Sequence, residues 1–227
     1  MNQANRFWYR AFVGAIRCYQ KLFWDFRVFG RERIPPGPKI YVSNHITSVD
    51  HYWVMLVCPE PVHMIVGPGY HPGAMARVLR YFEQINAMPE HRDTVVYEAC
   101  RYLALGEPVY IAPEGDLQPT FQLGRFFTGV AKIYRKSRAP IVPIALVAPR
   151  SCMRRHPRWD LRVGDRVFPA LIVWRGPVCV NVGEPFSPAL RDDLSEGDDN
   201  RRITDEVRER IRSLTEEVRS SRFWLNP

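Results

Sequence analysis

The sequence lacks any uninterrupted apolar run long enough to cross a bilayer, about eighteen residues, which argues against a conventional membrane-spanning helix. It also lacks Cys-x-x-Cys pairs. Its five cysteines are scattered along the chain, so we expect neither a disulfide framework nor a cysteine-based zinc site. This use of cysteine is typical of a reducing, cytosolic setting.

Lysine is nearly absent. Of the 32 basic residues 28 are arginine and 4 are lysine, and against 24 acidic residues they give a formal net charge of +8. Guanidinium groups pair well with phosphates and carboxylates, so anionic lipid, nucleic acid and acidic carrier proteins all remain open as partners. The apolar fraction of 46% is ordinary for a globular protein, and 227 residues suffice for a buried core in one large domain or two small ones.

The first thirty residues form an aromatic-rich segment with few breakers. On a helix over residues 5–27, four basic residues fall within an arc of about 60°, and most of the remaining circumference is apolar: the four are Arg6, Arg10, Arg17 and Lys21. This pattern favours a helix that lies in the plane of a membrane interface, with a core helix that has one solvated edge as the alternative. We therefore expect an amphipathic membrane-interface segment over residues 1–30 and a second domain over residues 31–227.

Beyond the breaker cluster at residues 33–38, short apolar runs alternate with helical patterns. This alternation predicts an α/β fold with a largely parallel central sheet flanked by helices. Strands are expected at residues 40–42, 62–66, near 85, 109–111, 141–147, 171–174 and 178–182, and helices at 74–82, 94–105, 124–137 and 199–220. Residues 149–169 form an arginine-rich connection that we expect to dock an acidic carrier protein or an anionic membrane surface.

Two loops that follow predicted strands carry the residues best suited to chemistry. The first contains Asn44, His45 and, five residues after the histidine, Asp50. A histidine can act as a general base near neutral pH, and a carboxylate one helical turn away can bond its other ring nitrogen and fix the tautomer. The second loop is Pro113-Glu114-Gly115, at a strand end where α/β domains usually place their sites.

Together these blocks resemble the phospholipid/glycerol acyltransferase family, whose best-known members are the lysophosphatidic acid acyltransferases. The Asn-His-x4-Asp motif matches residues 44–50, with Thr47 where the family usually has serine, and the Pro-Glu-Gly motif matches residues 113–115. Phe121-Gln122-Leu123-Gly124 resembles the family's Phe-x-x-Gly element, and residues 141–145 resemble its fourth block. The resemblance runs from about residue 30 to residue 190.

The resemblance implies transfer of a fatty acyl group from acyl-CoA or acyl carrier protein to a hydroxyl of a membrane lipid acceptor, without a bound cofactor. His45 would take the proton from that hydroxyl and Asp50 would orient His45. Substrate contacts are expected from Asn44, Thr47, Glu114 and Gly115 in the matched motifs. The absence of a Gly-x-Ser-x-Gly elbow agrees with a mechanism that forms no covalent acyl-enzyme.

Three cations that relatives with a phosphorylated acceptor usually carry are missing. Asp116-Leu117 stands where Thr-Arg is usual, residues 82–88 lack the arginine of the second block, and residues 67–69 lack a lysine. Arg92 or Arg125 would have to replace them if the acceptor is a lysophosphatidate-type glycerolipid, which remains the first expectation. The alternative is a neutral acceptor such as a glycolipid or a glycosylated pigment.

Two further hypotheses belong to other functional classes. His45, Asp50 and His51 form a cluster that would suit a metal hydrolase, although the preceding His-x-His of such sites is missing. A basic lipid- or nucleic-acid-binding module without catalysis is the other, but the arginines are dispersed and no nucleic-acid motif accompanies them. We expect no nucleic-acid partner, and a peripheral location at the cytoplasmic face of a membrane.

Overall fold

The computed structural model describes residues 1–71, 73–119 and 122–221. Over these residues six helices are α1 Gln3–Phe23, α2 Asp50–Val57, α3 Ala74–Tyr81, α4 Arg92–Ala104, α5 Gly129–Ser137 and α6 Glu196–Ser220. The strands are β1 Trp24–Phe29, β2 Ile40–Ser43, β3 His63–Val66, β4 Ile85–Asn86, β5 Val109–Ile111, β6 Ile141–Val147, β7 Met153–Arg155, β8 Leu161–Val163, β9 Arg166–Phe168, β10 Leu171–Val173 and β11 Gly176–Val182.

Seven strands form the central sheet in the order β1-β11-β6-β2-β5-β3-β4. Every neighbouring pair is parallel except β11 with β6, so β1 and β11 run against the other five strands. The predicted α/β fold with a largely parallel sheet is therefore confirmed. Two small antiparallel pairs, β7 with β10 and β8 with β9, lie outside this sheet.

The sheet is covered by helices on both faces. Successive side chains of a strand point to opposite faces, so each strand contributes to two cores. Ile40 and Val42 belong to the core beneath α4, α5 and α6, whereas Tyr41 between them packs in the core beneath α1 and α2. Strand β2 lies at the middle of the sheet, between β6 and β5. The loop after β2 is therefore held on both sides by neighbouring strands.

The N-terminal helix is shorter than predicted. It ends at Phe23, and the residues predicted to continue it, 24–27, belong to strand β1, which pairs in parallel with β11 from Trp24 opposite Gly176 onward. The Trp24 indole is buried and donates a hydrogen bond to the carbonyl of Val173 at 2.9 Å. This contact with a distant segment overrides the local helical pattern.

Two other predicted elements differ at their boundaries. Helix α5 begins at Gly129 and not at residue 124, because the preceding residues form the loop that returns to β5. The connection over residues 149–169 contains the short strands β7, β8 and β9. None of these three strands pairs with a strand of the central sheet. In contrast, α6 buries the predicted face, with Ile203, Val207, Ile211, Leu214 and Val218 all buried.

Helix α1 uses two faces. Tyr9 and Ile16 are its buried residues and pack in the core with α2. The opposite face spans about 120° of the helix and is apolar and exposed, and consists of Ala4, Phe7, Trp8, Ala11, Gly14, Ala15, Cys18 and Leu22. In the described part of the chain no helix has the length and hydropathy needed to cross a membrane.

Gly30, which follows β1, has a φ of +69°, and a Cβ atom added there would lie 2.1 Å from the carbonyl oxygen of Val182. Gly37 has a similar φ of +79°, but a Cβ atom added there would meet no atom within 4 Å.

We expect Gly37→Ala to lower the free energy of unfolding by about 1 kcal/mol, the cost of a left-handed non-glycine residue. Gly30→Ala should cost clearly more, since the β1–β11 contact must also shift. Urea unfolding of both variants checks this, and equal losses would contradict it.

Candidate active site

The loops after β2 and β5 meet at the carboxyl edge of the parallel strands. Asn44, the first residue of the β2 loop, is buried and ties it to β6: its amide nitrogen donates to the carbonyl of Leu146 at 2.9 Å, and its amide oxygen accepts from the Leu146 nitrogen at 2.8 Å. Both polar atoms of this side chain are thus used within the protein. Asn44 fixes the position from which the next residue, His45, projects.

His45 and Asp50 form a hydrogen-bonded pair, with 3.0 Å between Nδ1 of the histidine and Oδ2 of the aspartate. Asp50 begins α2 and is 1% exposed, whereas the His45 side chain is 29% exposed. Because the carboxylate accepts a hydrogen bond at Nδ1, the neutral ring carries its proton there and presents Nε2 as an acceptor. This is the arrangement of a histidine base with an orienting carboxylate.

Asp50 also organises the loop between it and the histidine. The backbone amides of Ile46 and Thr47 donate to its carboxylate at 2.7 Å and 3.0 Å, and the hydroxyl of Thr47 donates at 2.6 Å. A buried carboxylate needs several donors of this kind to offset its loss of hydration. Thr47 is itself fully buried. Its position supports a role in fixing Asp50, and the predicted substrate contact of Thr47 stays a prediction.

Glu114 holds the two loops together. Its Oε2 accepts a hydrogen bond from the amide of His45 at 2.6 Å, and its Oε1 accepts one from the amide of Gly124 at 2.7 Å. The carbonyl of His45 accepts in turn from the amide of Gln118 at 2.6 Å. Burial raises the pKa of Glu114, and the two amide donors lower it in part. His45 is therefore fixed at its main chain by the β5 loop and at its side chain by Asp50.

Gly115 allows the β5 loop to turn immediately after Glu114. Its φ is +71°, and an added Cβ atom would approach the ring of Phe127 to 3.1 Å. The Pro-Glu-Gly motif thus combines a carboxylate that faces the β2 loop with a turn that few other residues would permit. Phe121, in the third matched element, lies outside the described residues.

The two arginines proposed as substitutes for the missing cations lie at different distances from the site. Arg125 is exposed and follows Gly124, whose amide bonds to Glu114, so it borders the two loops. Arg92 begins α4, beyond β4. The preceding strand β4 is three strand spacings from β2, about 14 Å, and no hydrogen bond or ion pair joins Arg92 to either loop in the described part of the chain.

The sequence reasoning missed an arginine that does reach the β5 loop. Arg166 of β9 pairs with Asp116, with its guanidinium 2.8 Å and 2.6 Å from the two carboxylate oxygens. Asp116 stands where relatives usually have threonine, directly before the position of the missing arginine, and it pairs with a cation from the β8–β9 pair. The added negative charge of Asp116 was the signal for a compensating arginine, but it gave no indication of which one.

A cavity of about 240 Å³ adjoins the β2 loop. Most of its wall is apolar and comes from the end of β6 and the residues that follow it, and its lining is Asn44, Ile46, Pro119, Leu146, Val147, Ala148, Arg150, Met153 and Thr215. A cavity with such a wall suits a hydrocarbon chain.

The metal-hydrolase hypothesis finds no geometric support. Within residues 1–71, 73–119 and 122–221, no group of three or more His, Cys, Asp or Glu side chains is arranged to hold a metal ion. The ring of His51, its third candidate ligand, packs against that of Tyr52, with 4.0 Å between ring centroids and an angle of 58° between the planes.

Comparison with known proteins agrees with this geometry. A family model described as "Acyltransferase" matches residues 25–147, which include both loops. Among solved structures, the chain is similar to the crystal structure of the 1-acyl-sn-glycerophosphate (LPA) acyltransferase PlsC from Thermotoga maritima, with a TM-score of 0.63 and 20% sequence identity. The similarity covers 94% of this chain and 82% of that one. At this identity it establishes a shared fold.

Burial lowers the pKa of His51 from 6.5 to about 4, although the nearby Asp50 opposes the shift. Between these values the unfolded chain binds a proton that the folded protein does not, so stability should fall as the pH drops from 6.5 to 4. The loss due to His51 should reach about 3 kcal/mol.

Urea unfolding of the wild type and of His51→Asn at several pH values checks this expectation. Burial also lowers the pKa of His63, so the variant should keep part of the slope. The difference between the two proteins isolates His51, and parallel curves would contradict the assignment.

Proposed function

The chain belongs to the acyltransferase family, and from this premise we propose that it transfers a fatty acyl group from acyl-CoA or acyl carrier protein to a hydroxyl of a lipid acceptor. The observation that carries the proposal is the 3.0 Å contact between His45 Nδ1 and Asp50 Oδ2 at the carboxyl edge of the sheet. The favoured acceptor is a lysophosphatidate-type glycerolipid, which would place the reaction in phospholipid synthesis.

In the proposed reaction, Nε2 of His45 takes the proton from the acceptor hydroxyl as its oxygen attacks the thioester carbonyl. Asp50 stabilises the imidazolium that results. The tetrahedral intermediate collapses with cleavage of the carbon–sulfur bond, and the proton on His45 passes to the departing thiolate. An ester and a free thiol are formed, and no acyl group is attached to the protein.

The developing oxyanion needs hydrogen-bond donors other than the β2 loop. The backbone amides of residues 45–49 all donate to protein acceptors: to Glu114, Asp50, the carbonyl of Leu171 and the hydroxyl of Thr47. On the facing β5 loop, the described residues supply no acceptor for the amides of Asp116 and Leu117. We assign the stabilisation of the oxyanion to these two amides.

The acyl chain of the donor is assigned to the apolar cavity beside Asn44. Its volume of about 240 Å³ suits several methylene groups, and Asn44 lies directly before the proposed base. A chain that enters between the end of β6 and α6 would bring its thioester toward the β2 loop.

A phosphorylated acceptor is favoured by Arg166 and Arg125. Asp116 holds the Arg166 guanidinium at the β5 loop, and Arg125 follows Gly124, whose amide bonds to Glu114 of the same loop. Guanidinium groups bind phosphate through paired hydrogen bonds. A neutral acceptor, such as a glycolipid or a glycosylated pigment, is the alternative, since Asp116 itself would repel a phosphate.

Peripheral attachment at the cytoplasmic face of a membrane is proposed from the exposed face of α1. Phe7, Trp8 and Leu22 are 64%, 55% and 76% exposed, a large apolar surface to leave in water. The hydroxyl of Tyr19 bonds to the carbonyl of Trp174 at 2.6 Å, and Trp174 packs on Trp159 in the arginine-rich connection. Rings and guanidinium groups together suit a lipid headgroup region.

Replacement of the proposed base should abolish turnover. We expect His45→Ala to lower acyl transfer by about 100- to 10,000-fold, the usual contribution of a general base. The partly exposed ring lies on a loop, so the free energy of unfolding should change little. A labelled-acyl transfer assay measures the loss, with the exposed His91→Ala as a matched control. Retained turnover in the purified His45→Ala variant would refute the mechanism.

The acceptor assignment predicts a selective effect of Arg166. In Arg166→Gln we expect the KM for lysophosphatidate to rise about 10- to 100-fold, the value of a charge-assisted hydrogen bond, with little change for a neutral glycolipid or for the donor. Arg162→Gln, on the other strand of the same pair, is the control. Equal effects on both acceptors would argue against a phosphate role for Arg166.

A further inference from the structure

A second cavity, of about 250 Å³, lies between α1 and the loop that joins α2 to β3. Its lining is Tyr9, Arg10, Val13, Gly14, Arg17, Met55, Cys58, Pro59, Glu60 and Pro61, which we call the α1 groove. The α2–β3 loop precedes a parallel strand, whereas the β2 and β5 loops follow parallel strands. The α1 groove is therefore at the opposite edge of the sheet from His45, and the proposed reaction does not use it.

The α1 groove carries an uncompensated positive charge. Arg10 and Arg17 are exposed and have no ion pair within the described part of the chain, unlike Arg6 on the same stripe, which pairs with Glu107. The one acidic residue of the groove, Glu60, accepts hydrogen bonds from the buried Lys39 at 2.6 Å and from Tyr41 at 2.9 Å. Lys39 balances the charge of Glu60, so the two arginines remain for a ligand.

The spacing of the two arginines suits one shared anion. Seven residues on a helix correspond to two turns, about 10 Å, and place both side chains on the same side. Extended arginines can close this distance on a phosphate between them, each through its fork of N–H donors. The floor beneath them is apolar, with Val13 and Met55, and would take the adjoining glycerol or first methylene groups.

Gly14 provides a second, independent observation. It lies between the two arginines in the middle of α1, where glycine costs about 1 kcal/mol relative to alanine. No neighbour requires it, because an added Cβ atom would meet nothing within 4 Å. The missing side chain keeps the mouth of the α1 groove open.

From these observations we propose that the α1 groove binds the phosphate of an anionic lipid headgroup, as a site distinct from the acceptor site. The inference rests on the proposed membrane attachment of α1. The exposed apolar face of the helix borders the basic stripe, so when Phe7 and Trp8 enter the acyl boundary, Arg10 and Arg17 lie at the level of the phosphates. The site would make binding selective for anionic bilayers and set the orientation of α1.

The test is sedimentation of the full chain with vesicles of phosphatidylcholine alone and of phosphatidylcholine mixed with phosphatidic acid. Three variants are compared with the wild type. R10Q/R17Q removes the proposed ligands, G14L fills the mouth of the groove without changing any charge, and K132Q/K136Q removes two exposed cations from α5 on the other face of the sheet. Urea unfolding verifies that each variant is folded.

We expect the wild type and K132Q/K136Q to bind the anionic vesicles at least about tenfold more tightly than the neutral ones, as two cations at such a surface should provide. R10Q/R17Q should lose this increment and keep its binding to neutral vesicles. G14L should bind anionic and neutral vesicles equally, whatever its added leucine contributes on the exposed apolar face. Competition by glycerol 3-phosphate would support recognition of the phosphate itself, and competition by inorganic phosphate at equal strength would identify free phosphate as the ligand and overturn a lipid site.

Anionic selectivity that is retained in G14L, or lost equally in K132Q/K136Q, would overturn the α1 groove as a site. The overall charge of the protein would then account for the selectivity. Failure of the wild type to bind any vesicle would overturn the membrane attachment of α1. Neither result would touch the proposed acyl transfer, which is assayed separately with acceptors dispersed in detergent.

Discussion

The candidate site depends on two buried carboxylates whose hydrogen bonds come mainly from backbone amides and not from cationic side chains. Glu114 accepts from the amides of His45 and Gly124, and Asp50 accepts from those of Ile46 and Thr47. An amide donor in a fixed loop cannot swing away as an arginine can, so each carboxylate is satisfied only while its loop keeps one shape. The position of the imidazole follows from this constraint, because His45 is the residue both carboxylates bond.

The sequence predicted that both loops follow strands of a largely parallel sheet, but not how the loops contact each other. Alternation of strands and helices implied a parallel sheet, and in such a sheet the loops after β2 and β5 must lie at one edge. That Glu114 bonds the main chain of His45 depends on the register of the two strands, which no local pattern contains. The contact of Arg166 with Asp116 was not predicted for a related reason. The two residues are 50 positions apart in the sequence, and the β8–β9 pair brings them together.

The missed strand β1 has a different cause. Residues 24–29 continue the aromatic composition of α1, so a helical pattern extends into them without a breaker. A period of two was present, with Trp24, Phe26 and Val28 alternating with polar or charged residues over most of the strand. The length of the helical pattern that precedes these residues favoured a helix, whereas pairing with β11 and the burial of Trp24 stabilise the strand. Tertiary contacts thus outweighed local preference at the point where the helix joins the sheet.

The pairing of β1 with β11 has a consequence for the order in which the protein forms during translation. Trp24 cannot pair with β11 until its partner in that strand, Gly176, has been synthesised. At about 5–20 residues per second, the ribosome needs roughly 8–30 s to produce the intervening chain. For that time the nascent α1 has no completed sheet edge to anchor its following strand, and both of its apolar faces are available to a bilayer or a chaperone. Under the proposed membrane attachment, α1 can therefore reach the bilayer before the domain that follows it has folded.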